Sequence, residues 1–428
     1  MNIETLHKDF LQSTGICTDT RKITKNCLFF ALKGDNFNGN TFTQQALDNG
    51  AFKVVIDDLR YHKNTGETIL CKDVLGLLQK LATFHRDYLE VPIIALTGSN
   101  GKTTTKELIN AVLSKKFKTT ATKGNLNNHI GVPLTLLSMT KETEMGIVEM
   151  GANHLKEIEN LCEIAKPNYG YITNFGRAHL EGFGSEEGVI KGKSELYNYL
   201  TKNKLPIFLN ADDSIQKNIL NGYINKFGFS QTASTYFNIS FTKASPFVSL
   251  NFNGIDIESK LIGAYNFTNI CAAVIMGHYF GVDDSLIKDA IEEYTPSNNR
   301  SQLINQGSNT IILDAYNANP TSMMAALKNL EQMDNTSKIL FLGDMFELGN
   351  TAKEEHQTIA DYVAKANFNK VYLIGENFGN VKVSNKSIEK HTSFNELEKV
   401  LKNSTISEAT ILIKASRGMA LERIVPLL

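Results

Sequence analysis

Short apolar runs that read as buried strands alternate along this chain with stretches carrying apolar residues at helical spacing, and two breaks interrupt the alternation. The first follows a helical stretch over residues 75–88 and falls at Val91-Pro92, where proline disfavours helix in the residue before it. The second is the turn-rich polar cluster Thr295-Pro-Ser-Asn-Asn-Arg300. Between the breaks, a continuous apolar run at 93–96 leads into a glycine-rich turn and then a helical pattern over 103–115. Further strands are predicted at 146–149 and 169–173, with a hairpin over 247–258 turning at Asn253-Gly254. After Arg300, apolar runs at 310–313, 339–342, 371–374 and 411–413 alternate with helical segments, which predicts a small doubly wound, Rossmann-like domain. It has no G-x-G-x-x-G, so it need not bind a dinucleotide. Residues 1–91 mix short strands, at 27–32 and 53–56, with helices. The expectation is an α/β protein of three domains, 1–91, 92–300 and 301–428, the central one of P-loop ATPase type with a mainly parallel sheet and some antiparallel sheet.

Composition narrows the function classes more than it selects one. A length of 428 residues suits about three domains, each able to bury a core. Hydrophobic content of 42%, charged content of 21% and a formal net charge of -1 give no electrostatic reason to expect nucleic acid or an anionic membrane surface as a partner. No apolar run approaches the roughly 18 residues of a membrane span, and the N-terminus has no basic region followed by an apolar one, so the protein is expected in the cytoplasm without membrane insertion. Cys17, Cys27, Cys71, Cys162 and Cys271 are scattered and never form a C-x-x-C pair, so they are expected to be reduced packing residues.

The sharpest chemical signal is Thr97-Gly-Ser-Asn-Gly-Lys-Thr-Thr-Thr105, set between a strand and a helix. Gly98 and Gly101 let backbone N–H groups turn toward phosphate oxygens, with Asn100 between them; Lys102 supplies a cation for the β and γ phosphates, and Thr103, followed by Thr104, offers a hydroxyl to magnesium. The helix N-terminus adds partial positive charge. A strict Walker A loop would have glycine where Leu96 stands, so this is a shortened variant. Three downstream residues are compatible with metal and phosphate work: Glu149 at a strand end, His179 in the loop after the next strand, and Lys193 on a helix starting near Ser185. Taken singly, Glu149 reads equally as a solvated strand-end acid, while a loop histidine such as His179 is more often structural and a helix lysine such as Lys193, with Lys191 close by, is normally solvated.

Together these motifs resemble the Mur ligases, end to end. The family version of the loop is Thr-Gly-x-Asn-Gly-Lys-Thr-Thr, and the family's glutamate, histidine and helical lysine correspond to Glu149, His179 and the lysine of Gly192-Lys-Ser-Glu-Leu-Tyr197. Asn266 and Asn269 in Tyr265-Asn-Phe-Thr-Asn269, and Arg300, match as well. Tyr316-Asn-Ala-Asn-Pro320, Leu342-Gly-Asp-Met-Phe-Glu-Leu-Gly349, Lys414-Ala-Ser-Arg-Gly-Met419 and Gly124-Asn-Leu-Asn-Asn-His-Ile-Gly-Val-Pro133 resemble the family member that adds D-alanyl-D-alanine to the UDP-linked muramoyl (UDP-MurNAc) tripeptide in peptidoglycan precursor synthesis. That resemblance implies an ATP-dependent, ADP-forming amide ligase acting as a monomer through an acyl phosphate, with two magnesium ions and a carbamylated Lys193. Lys102, Lys193 and His179 would be catalytic. Thr103 and Glu149 would serve one metal ion, His179 and Lys193 the other. Asn266 and Asn269 would border adenine, Arg300 reach the phosphates and Asp314 hold the ribose. Thr20, Arg21, Asn128, Tyr316, Asn317 and Asn319 would meet the other substrates. Thr18-Asp-Thr-Arg21 stands where the family usually has Asp-Ser-Arg, and Asn38-Gly-Asn40 where it has Asp-Gly-His. Folylpolyglutamate synthase, which shares the shortened loop, and a non-catalytic nucleotide switch are the rival readings; the switch leaves His179 and Lys193 without a task.

Overall fold

The computed structural model describes residues 2–297, 299–333 and 337–428, so Asn298 of the second break lies outside the described residues. Its strands gather into sheets that follow chain order. The first is a four-stranded parallel sheet in the order Ile16–Cys17, Leu28–Phe30, Lys53–Ile56, Thr68–Leu70. The helix Val74–Leu89 comes next. Val74, Leu78, Leu81, Ala82 and His85 recur on one buried stripe, the spacing of an amphipathic helix. It packs on the first helix, Ile3–Gln12, and on helices Gly131–Leu137 and Glu157–Ala165 beyond it. Arg86 on this helix donates to the carbonyls of Ala165 and Lys166, both at 3.2 Å, and to Asn168 Oδ1 at 2.8 Å. The helix ends at Glu90, which takes a left-handed φ of 55°, immediately before Val91-Pro92.

The middle sheet has seven strands, all parallel, with Ile93–Thr97 near its centre between Tyr169–Ile172 and Met145–Glu149. Ile93 and Ala95 pack into one hydrophobic cluster while Ile94 and Leu96 pack into another, so both faces are covered. That is why the strand reads as an unbroken apolar run. One covering helix, Phe267–Tyr279, is buried almost all round. A three-stranded antiparallel sheet, Ser240–Lys243, Phe247–Phe252 and Ile255–Ile262, contains the expected hairpin. Its turn residues Asn253 (φ 51°) and Gly254 (φ 77°) take the left-handed geometry of a tight hairpin turn.

The last sheet has six strands in the order Gln302–Gln306, Asn309–Asp314, Thr410–Lys414, Lys338–Gly343, Lys370–Ile374, Ile388–His391. Only the first pairing is antiparallel. This bears out the α/β architecture with its Rossmann-like end. One hydrophobic cluster runs from Leu6 through the middle sheet to Leu412, so the units are docked through shared apolar packing. Among the described residues no helix is long and apolar enough to cross a membrane. All five cysteines are free thiols; Cys71 is half-buried and the others are buried.

Candidate active site

The carboxyl ends of the middle strands open into a cavity of about 1030 Å³, lined from Gln79 on the early helix through the glycine loop to Lys414 on the last sheet. This is the crevice position at which open α/β sheets bind ligands.

The loop after Ile93–Thr97 needs its glycines for two reasons. Gly98 and Gly101 have φ of 143° and 79°, and a Cβ on them would lie 2.0 Å from Thr173 Oγ1 and 2.5 Å from Asn269 Oδ1. Neighbours fix the loop: Ser99 N donates to Asn174 O at 3.0 Å, Asn100 N to Asn174 Oδ1 at 3.1 Å, and Thr173 Oγ1 to Asn100 O at 2.6 Å. Lys102 opens the helix Lys102–Leu113 and folds its ammonium onto the loop, donating to Gly98 O at 2.7 Å and Ser99 O at 3.1 Å. Loss of solvent lowers its pKa, and attraction to Glu149 opposes the shift. Asn100 Nδ2 is buried with no acceptor, a donor that an anion in the cavity would satisfy.

Glu149 ends Met145–Glu149 and is only 1% exposed, which overturns its reading as a solvated strand-end acid. Its backbone N donates to Thr122 Oγ1 at 3.0 Å, and Asn127 Nδ2 donates to Oε1 at 2.7 Å. The other oxygen, Oε2, is buried without a partner. An unpaired buried carboxylate oxygen is costly and suits a hard cation. Thr103 lines the same cavity, so the donor set fits magnesium.

Lys193 is fully buried on the helix Glu186–Lys202, whereas Lys191 is exposed, so the solvated-lysine reading fails for Lys193. Its Nζ donates to Ala152 O at 2.8 Å and lies 5.0 Å from the centre of the Phe183 ring. Burial, and secondarily the charge of Lys102, hold its pKa well below the ordinary lysine value, favouring the neutral amine. His179 lines the cavity with a left-handed φ of 55°, and its Nδ1 pairs with Glu347 from the last unit. No contact joins His179 to Lys193 among the described residues. The lysine stops behind the Ala152 wall of the cavity.

The remaining expected residues mostly converge. Asn266 and Asn269 are buried and linked, Asn269 Nδ2 donating to Asn266 Oδ1 at 2.8 Å while Asn269 Oδ1 accepts from Thr105 at 3.0 Å. The Arg300 guanidinium lies 3.5 Å from the centre of the Tyr316 ring. Asp314 accepts from Lys414 Nζ at 2.5 Å and Ser301 N at 3.2 Å. Asn319 caps the helix Pro320–Gln332, with proline at its first position, and reaches across the cavity to donate to Asn100 Oδ1 at 2.7 Å. Thr104, Asn128 and Asn317 also line the cavity, Asn128 Oδ1 accepting from Ile130 N and Gly131 N. Thr20 and Arg21 do not join them. Arg21 forks onto Asp19 at 2.9 and 2.8 Å, with its side chain 86% exposed, beyond the strand Ile16–Cys17.

Residues 96–277 match the sequence model of the Mur ligase middle domain and residues 299–421 that of the Mur ligase, glutamate ligase domain. A UDP-N-acetylmuramoyl-tripeptide--D-alanyl-D-alanine ligase of Buchnera aphidicola is 37% identical, the alignment covering 99% of this chain and 94% of that protein. The chain belongs to the Mur ligase family. The Bacillus subtilis ligase of the same name is 35% identical over 96% of this chain and 92% of its own length. Among solved structures, MurF from Acinetobacter baumannii superposes with a TM-score of 0.87 at 27% identity, covering 99% of this chain and 98% of that one. MurF ligase from Thermotoga maritima, in complex with ADP, gives 0.85 at 25% identity over 98% and 97%.

For this Mur ligase, the sequence reading of the site left out Asn127, Asn174, Glu347 and Lys414. Asn127, Glu347 and Lys414 sit inside motifs quoted above, but an asparagine, glutamate or lysine in a motif does not declare its partner. Asn174 had the weakest signal, a polar residue just past a strand end.

Proposed function

We infer that this chain joins D-alanyl-D-alanine to the UDP-N-acetylmuramoyl tripeptide in peptidoglycan precursor synthesis, consuming ATP and releasing ADP and phosphate. The observation that carries the reading is the Asn319–Asn100 bond, which sets the Tyr316-Asn-Ala-Asn-Pro320 segment against the phosphate loop in one cavity. Full-length similarity to ligases of that name supports it, and supports neither folylpolyglutamate synthesis nor a switch. The ADP complex of the Thermotoga relative supports a nucleotide at the loop.

In the first step a carboxylate oxygen of the tripeptide attacks the γ-phosphorus of ATP, forming an acyl phosphate and expelling ADP. The amine of D-alanyl-D-alanine then attacks the acyl carbon, and phosphate departs from the tetrahedral intermediate with loss of the amine proton. Two anions meet in the first step, so preorganised positive charge at Lys102 and the loop N–H groups lowers the barrier. Thr103 and Glu149 would hold one magnesium ion, and His179 with a carbamate on Lys193 the other; bound there, magnesium neutralises phosphate charge. Carbon dioxide adds to a neutral amine and releases a proton, which the burial of Lys193 favours. Asn266 and Asn269 border adenine, Arg300 reaches the phosphates, and Asp314 holds the ribose. Tyr316, Asn317 and Asn319 meet the dipeptide, Asn128 the tripeptide end, and Thr20 and Arg21 the uridine nucleotide.

On this reading residues 1–91 bind the UDP-sugar, 92–300 bind ATP and 301–428 bind the incoming dipeptide. A monomer suffices because every proposed group comes from one chain, and the soluble nucleotide substrates suit the cytoplasm. Mass spectrometry of the product tests the reaction: a gain of one dipeptide less one water supports it, and an unchanged tripeptide refutes it.

A further inference from the structure

The contact between His179 and Glu347 joins two units of the fold at the edge of the cavity, yet the two-step chemistry above gives Glu347 no part. We propose that Glu347 is a positioning residue for the ligation. Its carboxylate takes the Nδ1 hydrogen of His179 and turns Nε2 toward the cavity, so the histidine is set only while the C-terminal unit is docked. This rests on the ligase reading and adds a residue to it.

Glu347 is built to reach outward. It follows the strand Lys338–Gly343 in a loop pinned within its own unit, where Met345 N donates to His356 Nε2 at 2.9 Å and Phe346 N to Ser416 Oγ at 2.8 Å. Asp344 anchors the loop base by accepting from Phe378 N at 2.9 Å and Asn377 N at 3.0 Å. The chain then enters a left-handed conformation at Glu347, φ 61°, and His179 opposite has φ 55°. Non-glycine residues rarely adopt this geometry, and it persists where surrounding contacts impose it. Here the contacts are mutual. Glu347 O accepts from Glu181 N at 3.2 Å while the side chain meets His179 Nδ1.

A purely adhesive role is a poor explanation of an acid at this spot. Docking already has the Arg177–Glu355 ion pair at 2.9 Å, Arg177 N to Thr321 Oγ1 at 3.0 Å, and Asn319 to Asn100 at 2.7 Å. A bare carboxylate within the field of Lys102 would repel the phosphates that lysine attracts. Its hydrogen bond to the neutral ring leaves that charge in place, so an acid here needs a task that a plain contact would not give it. A carboxylate can only accept, so Nδ1 carries the hydrogen, and Nε2 is left as the lone-pair nitrogen with no partner among the described residues. A carboxylate behind a histidine fixes its tautomer and ring orientation.

The test uses the full chain as wild type, Glu347→Ala and Glu347→Gln, with two readouts. Long-range nitrogen–proton NMR of histidine-labelled protein reads the His179 tautomer without substrate. Wild type should show hydrogen on Nδ1, and Glu347→Ala should lose that preference. In turnover, Glu347→Ala should lower kcat by ~10-fold or more with KM for ATP within about threefold, the usual scale for such partners. Formate should restore part of its kcat, and Glu347→Gln, which keeps an acceptor oxygen, should fall between the two. An unchanged tautomer, a wild-type kcat, or a loss that formate does not relieve would overturn the proposal. If Glu347→Ala does not fold, the tautomer and kcat of Glu347→Gln decide the matter the same way. A wild type that shows the tautomer but makes no amide would defeat the ligase reading and leave the positioning intact.

Discussion

Asn127 donates to one oxygen of Glu149 at 2.7 Å and leaves the other oxygen buried and unpaired, on a residue that lines the cavity. The amide thereby decides which oxygen a cation meets. Asn127→Ala should raise the magnesium concentration for half-maximal rate by ~10- to 100-fold, the scale on which an oriented partner tunes a ligand. A magnesium titration of the steady-state rate checks this, and an unaltered requirement would detach Glu149 from metal binding.

Lys102 has no cationic substitute in its loop, and its ammonium rests on Gly98 O and Ser99 O, ready to swing to a phosphate. Lys102→Ala should cost ~100-fold or more in kcat, as removal of a preorganised charge does. Near-normal turnover in that variant would mean the loop is not where ATP reacts.

Lys193 is buried with a depressed pKa, and its Nζ bonds the Ala152 carbonyl and lies beside the Phe183 ring. Lys193→Ala should lose most activity, and a small carboxylic acid in the buffer should recover part of it by standing in for the carbamate oxygens. Intact-mass measurement at high and low carbon dioxide gives a second check. A nearly silent Lys193→Ala would dispose of the carbamate.

What the sequence disclosed, and what it hid, follows from which forces act locally. Strands such as Ile93–Thr97 and Thr410–Lys414 are buried on both faces, so each shows as an apolar run. The edge strand Gln302–Gln306 is polar and half-covered, and no run marks it. The glycine loop was legible because its steric demands are written in residue type. The burial of Glu149 was not, since a strand-end acid looks the same in water or in a crevice. Glu347 and His179 stand 168 residues apart, and docking, not any local pattern, brings them together. The roles of Thr20 and Arg21 came from resemblance alone, and their place outside the cavity shows how little of the nucleotide-sugar site could be read from the residues themselves.

Three buried histidines set a pH dependence of stability. His85 Nε2 bonds Met139 O at 3.0 Å, so it carries the hydrogen, and His85 Nδ1 accepts from His7 Nε2 at 3.0 Å. His356 Nε2 accepts from Met345 N, which excludes a proton there. Burial is the leading cause that lowers the pKa of all three. Below about pH 6.5 the unfolded chain takes up protons that the folded chain refuses, so stability should be full above that pH and fall as pH drops toward the lowered folded values. Urea midpoints between pH 8 and 5 measure it, and His85→Gln, which keeps a donor for Met139 O, should flatten the slope. A flat wild-type profile would contradict the buried neutral pair.

ADP release with ATP, magnesium and the UDP-N-acetylmuramoyl tripeptide, followed with and without D-alanyl-D-alanine, tests amide ligation most directly. Sustained turnover should require both the tripeptide and the dipeptide, with one ADP released per amide formed. Equal ADP release without the dipeptide, or with folate and glutamate in place of these substrates, would contradict it.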